Sequence, residues 1–239
     1  MRERVPLFAG LTLLAVAVVL GSLLIGNGIR DRNRTEVISV TGSAKARIVS
    51  DYIVWDATLT GRGSSPAAAA AQLTEWTTRV DSFFRGQGVT ADELTVEPIS
   101  TESPGSIDEN GDRVTGYRLT RSFEIRSSRV ATIATVAERS SSLLARGVPL
   151  AADPPQYVYT KLPSLRPRLL AAATKDAQLR ARVLVAASGA KLGKLRGVDV
   201  GVFQVSSPNS TDVSDYGVYD TTTLRKDVTA VVNVTFALS

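Results

Sequence analysis

The sequence predicts an α+β fold, with a mainly antiparallel sheet, helices packed on one face of it, and one transmembrane helix in front. Three observations support this prediction. Residues 5–29 form one long uncharged, apolar run. Segments of alternating apolar and polar residues, typical of half-buried strands, occur in neighbouring pairs. Stretches with apolar residues at helical spacing follow these pairs, which gives the element order ββα-ββα-β-α-ββ.

The N-terminal segment, residues 1–30, is expected to be a membrane anchor. No charge occurs between Val5 and Ile29, and a helix of about 25 residues spans roughly 37 Å, enough to cross a hydrocarbon core of about 30 Å. The alternative is a cleaved signal peptide. The run is long for such a peptide, and residues 23–28 hold no clear cleavage site with small residues. We therefore predict an uncleaved helix in contact with the lipid bilayer, followed by a charged linker at 31–36.

Charge alone does not decide the orientation of this anchor. Arg2 and Arg4 precede the apolar run, while Arg30, Arg32 and Arg34 follow it. The positive-inside rule then places the large domain in the cytoplasm. The positive charge of the N-terminal amino group reduces the difference in positive charge between the two ends of the apolar run.

Residues 37–239 are interpreted as one domain, whose first half contains two pairs of strands, each followed by a helix. In Tyr52–Thr60, alternate residues from Ile53 to Leu59 fall on one face. Ser65 is a good N-cap and Pro66 suits the first helical position. The predicted strands are 37–41, 52–60, 94–101 and 114–126. The first predicted helix starts at 66, and the second spans 129–146. The first helix has an apolar stripe of Ala69, Leu73, Trp76, Val80 and Phe83.

Arg121 interrupts the apolar face of the strand at 114–126. Beyond it, the pattern predicts a strand around 157–162, a helix at 165–187, a strand at 198–205 and a final alternating strand at 228–238. The last helix has a seam of small residues, namely Leu169, Ala173, Ala177 and Ala181. Such a seam lets a helix approach its neighbour closely.

Composition excludes several kinds of chemistry. The chain contains neither cysteine nor histidine, so disulfides, thiolate nucleophiles, a Ser-His-Asp triad and His- or Cys-ligated metals are excluded. The net charge is +5 and the pI is about 9.7. Basic and acidic residues alternate instead of clustering, which indicates a mixed solvated surface and no nucleic-acid partner.

Several segments, taken in order, resemble the bacterial SIMPL-domain family. Ile38–Gly42 is similar to the start of that domain, although Ser50 stands before Asp51 where the family usually has proline. Gly116-Tyr117 opens the central strand in the same way. The best match is an Ala-spaced helix that ends in a Gly-x-x-Leu-Gly turn, with Ala172, Ala177, Ala181, Ala186, Gly189, Leu192 and Gly193.

The resemblance implies an envelope protein that is periplasmic or anchored with its domain outside the cytoplasm. Some members of the family resemble ring-like or channel-like homo-oligomers, and some are associated with oxidative-stress defence. The family has no established catalytic residues to carry over. We follow the resemblance on orientation, because three arginines against two is a small margin.

Two motifs have a simpler structural explanation than a binding site. Asp108, Asn110 and Asp112 alternate as in a calcium loop, but the closing glutamate is missing and Asn110-Gly111 is a strong hairpin signal. The segment 61–63, Gly-Arg-Gly, lacks the third glycine of a dinucleotide fingerprint. A hairpin tip and an ordinary turn are therefore expected.

Three further groups remain open. Arg168, Lys175 and Arg182 form a basic stripe on the last helix, which suits either an anionic partner or solvent. Scattered carboxylates could in principle pair as in a hydrolase: Asp51, Asp56, Glu124 and Asp153. An acidic, aromatic loop suits protein contacts or plain mobility: Asp212, Asp215, Tyr216, Tyr219 and Asp220.

The sequence therefore predicts a membrane-anchored, extracytoplasmic scaffold that is not an enzyme and that self-associates through sheet edges and the small-residue helix. We assign no catalytic, cofactor-binding or metal residue, and expect a homo-oligomer with an envelope protein as a further partner. One alternative is a ligand- or peptide-binding module with loops 103–113 and 207–223 as its mouth. The other is a carboxylate-dependent hydrolase.

Overall fold

The computed structural model describes residues 36–107, 110–112, 115–210 and 216–239. These residues form an α+β fold with mainly antiparallel strands, so this part of the predicted fold is confirmed; the strands form two sheets, where one was expected. The predicted anchor lies outside the described residues. Within the described part of the chain, no helix combines the length and apolarity that crossing a membrane requires.

The described residues contain ten strands and four helices. The strands are β1 (Val37–Val49), β2 (Tyr52–Gly63), β3 (Leu94–Val96), β4 (Ser100–Glu102), β5 (Tyr117–Ser127), β6 (Ala151–Ala152), β7 (Gln156–Val158), β8 (Leu192–Val200), β9 (Gln204–Ser206) and β10 (Arg225–Leu238). The helices are α1 (Pro66–Gly86), α2 (Val130–Arg139), α3 (Ser141–Ala145) and α4 (Leu162–Ser188). The order agrees with the prediction, with short strands added.

The chain divides into two compact units. The terminal unit comprises the described residues up to Ala44 together with Leu170–Gly201 and Val231–Ser239. The central unit comprises Lys45–Leu169 and Val202–Ala230. Each of the strands β1 and β10 has residues in both units.

The central unit is built on the antiparallel pair β2–β5, whose register runs from Ile53 opposite Ser127 to Gly63 opposite Tyr117. β3 and β4 extend this sheet beside β5, and β6 and β7 extend it beside β2. As predicted, alternate residues of β2 are buried, from Ile53 to Leu59. They pack with buried residues of α1, α2 and α3 in one apolar core.

Helix α1 begins as the sequence predicts. The hydroxyl of Ser65 accepts a hydrogen bond from the Ala68 amide at 3.2 Å, and Pro66 occupies the first turn. The core-facing residues are Ala69, Leu73, Val80 and Phe84. Trp76 and Phe83 are only partly buried, so the stripe is centred slightly away from its predicted line.

Several predicted elements are broken or shifted, for local reasons. The helix predicted at 129–146 divides at Ser140, whose hydroxyl binds the Ala137 carbonyl at 2.6 Å and so competes with the helix. The strand predicted at 94–101 is interrupted by Pro98, which has no N–H to donate to a ladder. Similarly, the strand predicted at 198–205 is divided between β8 and β9. Helix α4 starts at Leu162, where the end of a strand was predicted.

The terminal unit consists of a sheet in the order β1-β10-β8 and the helix α4. Alternate residues of β10 point into its core, namely Val232, Val234 and Phe236. Val40 of β1 joins them. The opposing helix surface is the small-residue seam, of which Ala173, Ala177 and Ala181 are fully buried.

Candidate functional site

The strand β8 has an apolar side that nothing in the described chain covers. In the described residues, β8 pairs only with β10. The opposed pairs are Leu195–Phe236, Val198–Val234 and Val200–Val232. Opposed residues of an antiparallel pair share a face, and the β10 partners are buried under α4. Leu195, Val198 and Val200 are nevertheless 53%, 45% and 51% exposed. We call these three residues the β8 apolar face.

The outer surface of α4 adds exposed apolar residues to this unit. Leu179, Val183 and Leu184 are all more than half exposed. Leu179 lies with Lys175 and Arg182 in a shallow groove of about 360 Å³. The predicted basic stripe is therefore on the exposed side of the helix, where both solvent and an anionic surface can reach it.

The small-residue seam is not free for a neighbouring subunit, which corrects one part of the sequence interpretation. Ala173 and Ala177 contact Gly42 of β1 so closely that a Cβ at Gly42 would be 2.2 Å from the Ala173 carbonyl oxygen. The neighbour that the helix approaches is a strand of its own chain. The seam is thus occupied by β1 of the same chain.

The segment 61–63 owes its glycines to packing. A Cβ at Gly61 would lie 2.7 Å from the Ala69 carbonyl oxygen, and one at Gly63 would lie 2.6 Å from the Ala69 amide nitrogen. Both glycines let α1 lie close on β2.

The Asn110-Gly111 segment has the backbone of a turn. Gly111 has a φ of 84°, in the left-handed region that glycine favours, and Asp112 is exposed. Asp108, the first residue of the calcium-like pattern, lies outside the described residues. In the described parts of the chain, no group of three or more acidic residues is arranged to hold a metal ion.

Three of the four candidate carboxylates lie near one another, since Asp153 donates its amide to the Asp56 carbonyl at 3.0 Å. Asp56 and Glu124 are directly opposed on β2 and β5, on the face of the sheet away from the helices. Arg126 donates to both Glu124 oxygens, at 2.6 and 2.7 Å, and lowers the pKa of Glu124. Burial, then Glu124 and Asp153, raise the pKa of Asp56. The two pKa values are pushed apart, as in an acid–base pair.

Asp51 stands apart from that pair. Its carboxylate accepts hydrogen bonds from the amide and hydroxyl of Thr160, at 2.7 and 2.9 Å, and Lys161 lies 3.7 Å away. Burial raises the pKa of Asp51, but these donors and Lys161 outweigh it, so that the pKa lies below its usual value. Asp51 therefore fixes the segment before α4.

A buried lysine is the feature that the sequence interpretation missed. Lys226 is fully buried in β10. It donates to the Thr223 carbonyl and lies 3.6 Å from the Asp220 carboxylate. Burial lowers the pKa of Lys226, although Asp220 opposes this effect. The alternation of β10 could have indicated this burial, because Lys226 lies on the same strand face as the buried Val228.

The next residue faces the other way and is buried as well. Asp227 accepts hydrogen bonds from Arg47 Nε at 3.0 Å and lies 2.9 Å from Lys45 Nζ. These two cations of β1 hold the pKa of Asp227 far below its usual range. Consecutive residues of β10 thus carry opposite charges into opposite sides of the sheet.

The two loops proposed as one binding mouth lie at opposite ends of β2. Residues 103–116 lead into β5 where Tyr117 pairs with Gly63. Tyr157, which pairs with Ile53, donates its amide to the Thr221 carbonyl at 2.6 Å. Ten strand residues separate these ends, roughly 33 Å. The described ends of the two loops therefore lie far apart, which does not support one shared mouth.

The acidic, aromatic loop is partly described. Tyr216 is 97% exposed and Tyr219 is 44% exposed. The Tyr219 hydroxyl accepts a hydrogen bond from the Tyr159 amide at 3.3 Å. Asp212 and Asp215 lie outside the described residues.

Comparison with known proteins identifies one family. The family model SIMPL, described as a protein of unknown function (DUF541), matches residues 38–236. No curated protein matches the chain at a significant level. The match extends from β1 into β10, so it includes residues of both units and agrees with the resemblance seen in the sequence.

Proposed function

Because this chain belongs to the SIMPL family, we propose that it is a non-catalytic, self-associating module of the cell envelope. In this proposal residues 1–30 tether it to the bilayer, and the domain faces away from the cytoplasm. The observation that carries the proposal is the β8 apolar face. A link to envelope or oxidative stress rests on the family resemblance alone.

The β8 apolar face has the properties of a contact surface. Burying apolar area favours association, and clustered exposed apolar side chains mark interaction sites. The register with β10 shifts between Leu195 and Gly197, and such bulges hinder the pairing of one edge strand with another. We therefore infer that two copies pack face to face here, without extending the hydrogen-bonded ladder.

A tether supports assembly through a modest surface. Residues 5–29 are uncharged and long enough to span a bilayer. Copies held in one membrane meet at a higher effective concentration than free copies in solution. A face of three residues and its surroundings then needs less intrinsic affinity than a soluble dimer does.

The proposal that the module is not an enzyme has support from composition and geometry. The chain lacks histidine and cysteine, the residues most used for acid–base and thiol chemistry. The carboxylate pair Asp56–Glu124 is the best candidate for catalysis. It lies on the sheet face away from the helices, where water is not excluded.

Self-association is tested with the full-length chain in mild detergent, by light scattering coupled to size exclusion. We expect oligomers that the double variant Val198→Glu/Val200→Glu converts to single chains, because carboxylates are costly to bury in an apolar contact. Val49→Glu is the matched control, since Val49 is 55% exposed but lies outside this face. Monomeric wild-type protein, or oligomers that the double variant leaves intact, would contradict the proposal.

Orientation requires a separate experiment. Because the chain has no native cysteine, Ser239→Cys introduces a single labelling site at the end of the domain. We expect a membrane-impermeant maleimide to label this variant in cells whose inner membrane is intact. Labelling that appears only after the inner membrane is opened would place the domain in the cytoplasm.

The ligand-binding alternative has less support. It placed loops 103–113 and 207–223 around one mouth, and these loops lie at opposite ends of β2. A surface groove of about 710 Å³ is instead lined by the end of α1 and residues of α2 and α3.

A further inference from the structure

Arg121 is a cation on the core-facing side of β5. Its cross-strand partner is Leu59, which is fully buried. Leu119 and Phe123, two residues away on either side, belong to the apolar core. Arg121 is itself only partly buried. The guanidinium therefore lies where the apolar core meets the surface.

The other two arginines of β5 behave differently. Arg118 pairs with Glu102 at 3.1 Å, and Arg126 pairs with Glu124 at 2.6 Å. Both point to the opposite face of the sheet, because residues of even number alternate with Arg121 along the strand. Arg121 has no carboxylate partner within the described chain.

The Nε–H of Arg121 is a buried donor without an acceptor among the described residues. Buried donors in folded proteins are nearly always paired, so an orphan donor requires an explanation. Guanidinium groups bind carboxylates through Nε and a terminal nitrogen in a planar, two-bond geometry. A carboxylate therefore has the shape and the charge that fit this unpaired guanidinium.

The edge of the sheet next to Arg121 is apolar and interrupted. Val96 pairs with Phe123 and is 42% exposed. Pro98 divides β3 from β4, and Ile99, just beyond it, is 40% exposed. These two side chains flank the stretch that lies opposite Arg121. Exposed apolar side chains thus lie on the edge of the sheet beside the position of Arg121.

A second orphan group lies on the helix that packs on β5. The Thr77 hydroxyl of α1 is buried without a partner in the described residues, whereas the neighbouring Thr78 hydroxyl bonds the Thr74 carbonyl at 3.0 Å. Gln72 and Trp76 line a groove with Pro149 on the β6 side. At 100° per residue, Thr77 projects from the other flank of the stripe, toward β5.

From these observations we propose that Arg121 is the anchor of a binding site for a carboxylate attached to an apolar group. The carboxylate accepts hydrogen bonds from the Arg121 guanidinium, and the apolar group packs on Val96 and Ile99. Two sources have this chemistry. One is an acidic residue in an extended polypeptide segment, and the other is a small organic acid with an aliphatic chain.

The test follows the Arg121 Nε–H signal by NMR in the full-length protein, at constant ionic strength. Hexanoate is expected to shift this signal in a saturable manner, about tenfold more tightly than acetate, because about two methylene groups become buried. Hexanol lacks the carboxylate and is expected to leave the signal in place. The assignment comes from Arg121→Lys, which removes the signal.

Two variants locate the site. Arg121→Met, which keeps an apolar stem in the core, is expected to abolish the hexanoate-induced shifts of Val96 and Ile99. Arg62→Met removes an exposed arginine of β2 and is expected to retain them. If Arg121→Met binds hexanoate as wild type does, the proposal is wrong.

A peptide pair distinguishes the sources. The blocked tripeptide Val-Glu-Val is compared with Val-Gln-Val, which lacks the charge. Binding of the glutamate peptide with slowed amide exchange along β3 and β4 identifies a polypeptide segment as the ligand. Binding of hexanoate alone identifies a small acid. Failure of both to bind overturns the carboxylate site.

Discussion

Gly42 of β1 lies against Ala177 of α4 so closely that a Cβ at Gly42 would come within 2.4 Å of the Ala177 amide nitrogen and 2.7 Å of its Cβ. The distance between helix and strand is therefore set by a glycine on one side and an alanine on the other. Alanines four residues apart predict close helix packing. They do not say whether the neighbour is a second helix, another subunit or, as here, a strand of the same chain.

The first prediction concerns this contact. Gly42→Ala is expected to destabilise the protein by about 1–3 kcal/mol, because the added methyl group meets backbone atoms that move only with the whole helix. Urea unfolding, followed by the fluorescence of the buried Trp55, measures the change. Gly86→Ala is the control. A Cβ there meets nothing within 4 Å, and alanine is the better helix residue, so no loss is expected. Equal stability of both variants would contradict the packing argument.

Patterns that depend on one element were predictable. The alternation of β2 identifies its buried face because successive strand residues point to opposite sides. Ser65 and Pro66 locate the start of α1 because a helix N-terminus has unpaired amides and tolerates proline. The parity of β10 identifies Val232, Val234 and Phe236 as core residues for the same reason.

Features that depend on two distant segments were not predictable. The β8 apolar face is exposed because α4 covers β10 but leaves these residues of β8 uncovered. No local sequence pattern indicates how far a helix covers a sheet. The burial of Lys226 depends on Asp220 and on the Thr223 carbonyl. The two loops are separated by the length of β2 because of how the strands pair. The sequence shows only that each loop lies next to a strand, and not at which end of the sheet it lies.

The second prediction concerns acid. Glu93 accepts hydrogen bonds from Arg129 Nε at 2.8 Å and from the amide and hydroxyl of Thr90, and it binds Ser127 as well. Arg129 foremost, with Ser127 and Thr90, lowers the pKa of Glu93 to about 2. A glutamate in the unfolded chain titrates near about 4.3. The stabilisation is therefore complete above that value and is lost as pH falls toward about 2.

Glu93→Gln is accordingly expected to be less stable than wild type at pH 7, by about 1–3 kcal/mol, and to lose less of its stability between about pH 4.3 and 2. Chemical unfolding at a series of pH values measures both effects. Glu97→Gln, which changes an exposed glutamate nearby, is expected to follow the wild-type curve. Parallel curves for Glu93→Gln and wild type would show that Glu93 does not contribute to the acid response.

The third prediction is an asymmetry in the buried pair Lys226–Asp220. The Asp220 carboxylate also accepts hydrogen bonds from the Thr222 amide and hydroxyl, both at 2.7 Å, and from the Thr223 hydroxyl. Although burial raises the pKa of Asp220, these donors and Lys226 lower it to about 2. Asp220 thus keeps partners when the lysine is removed.

Asp220→Ala leaves the lysine charge buried without its counter-ion, so we expect a loss of about 3–5 kcal/mol. Lys226→Met preserves the stem and removes the charge, and we expect it to cost clearly less. Urea unfolding of the two variants gives the comparison. A larger loss for Lys226→Met would mean that the ammonium group is the main support of the segment before β10.

The fourth prediction separates a structural role for Asp56 from a catalytic one. Burial, together with Glu124 and Asp153, raises the pKa of Asp56. A carboxylate whose folded pKa exceeds its unfolded value is less favourable when ionised, so it lowers stability at neutral pH and this penalty disappears as pH falls below the unfolded value. Asp56→Asn removes the charge and is expected to stabilise the protein at pH 7, by less than about 1 kcal/mol because the group is partly solvated. At pH 3 the gain is expected to vanish.

Glu124→Gln provides the contrast, because it leaves Arg126 without its partner and is expected to lower stability. If Asp56→Asn were neutral or destabilising at pH 7, the attraction of Arg126 for Asp56 would outweigh burial and the two neighbouring carboxylates, and the predicted penalty would be absent.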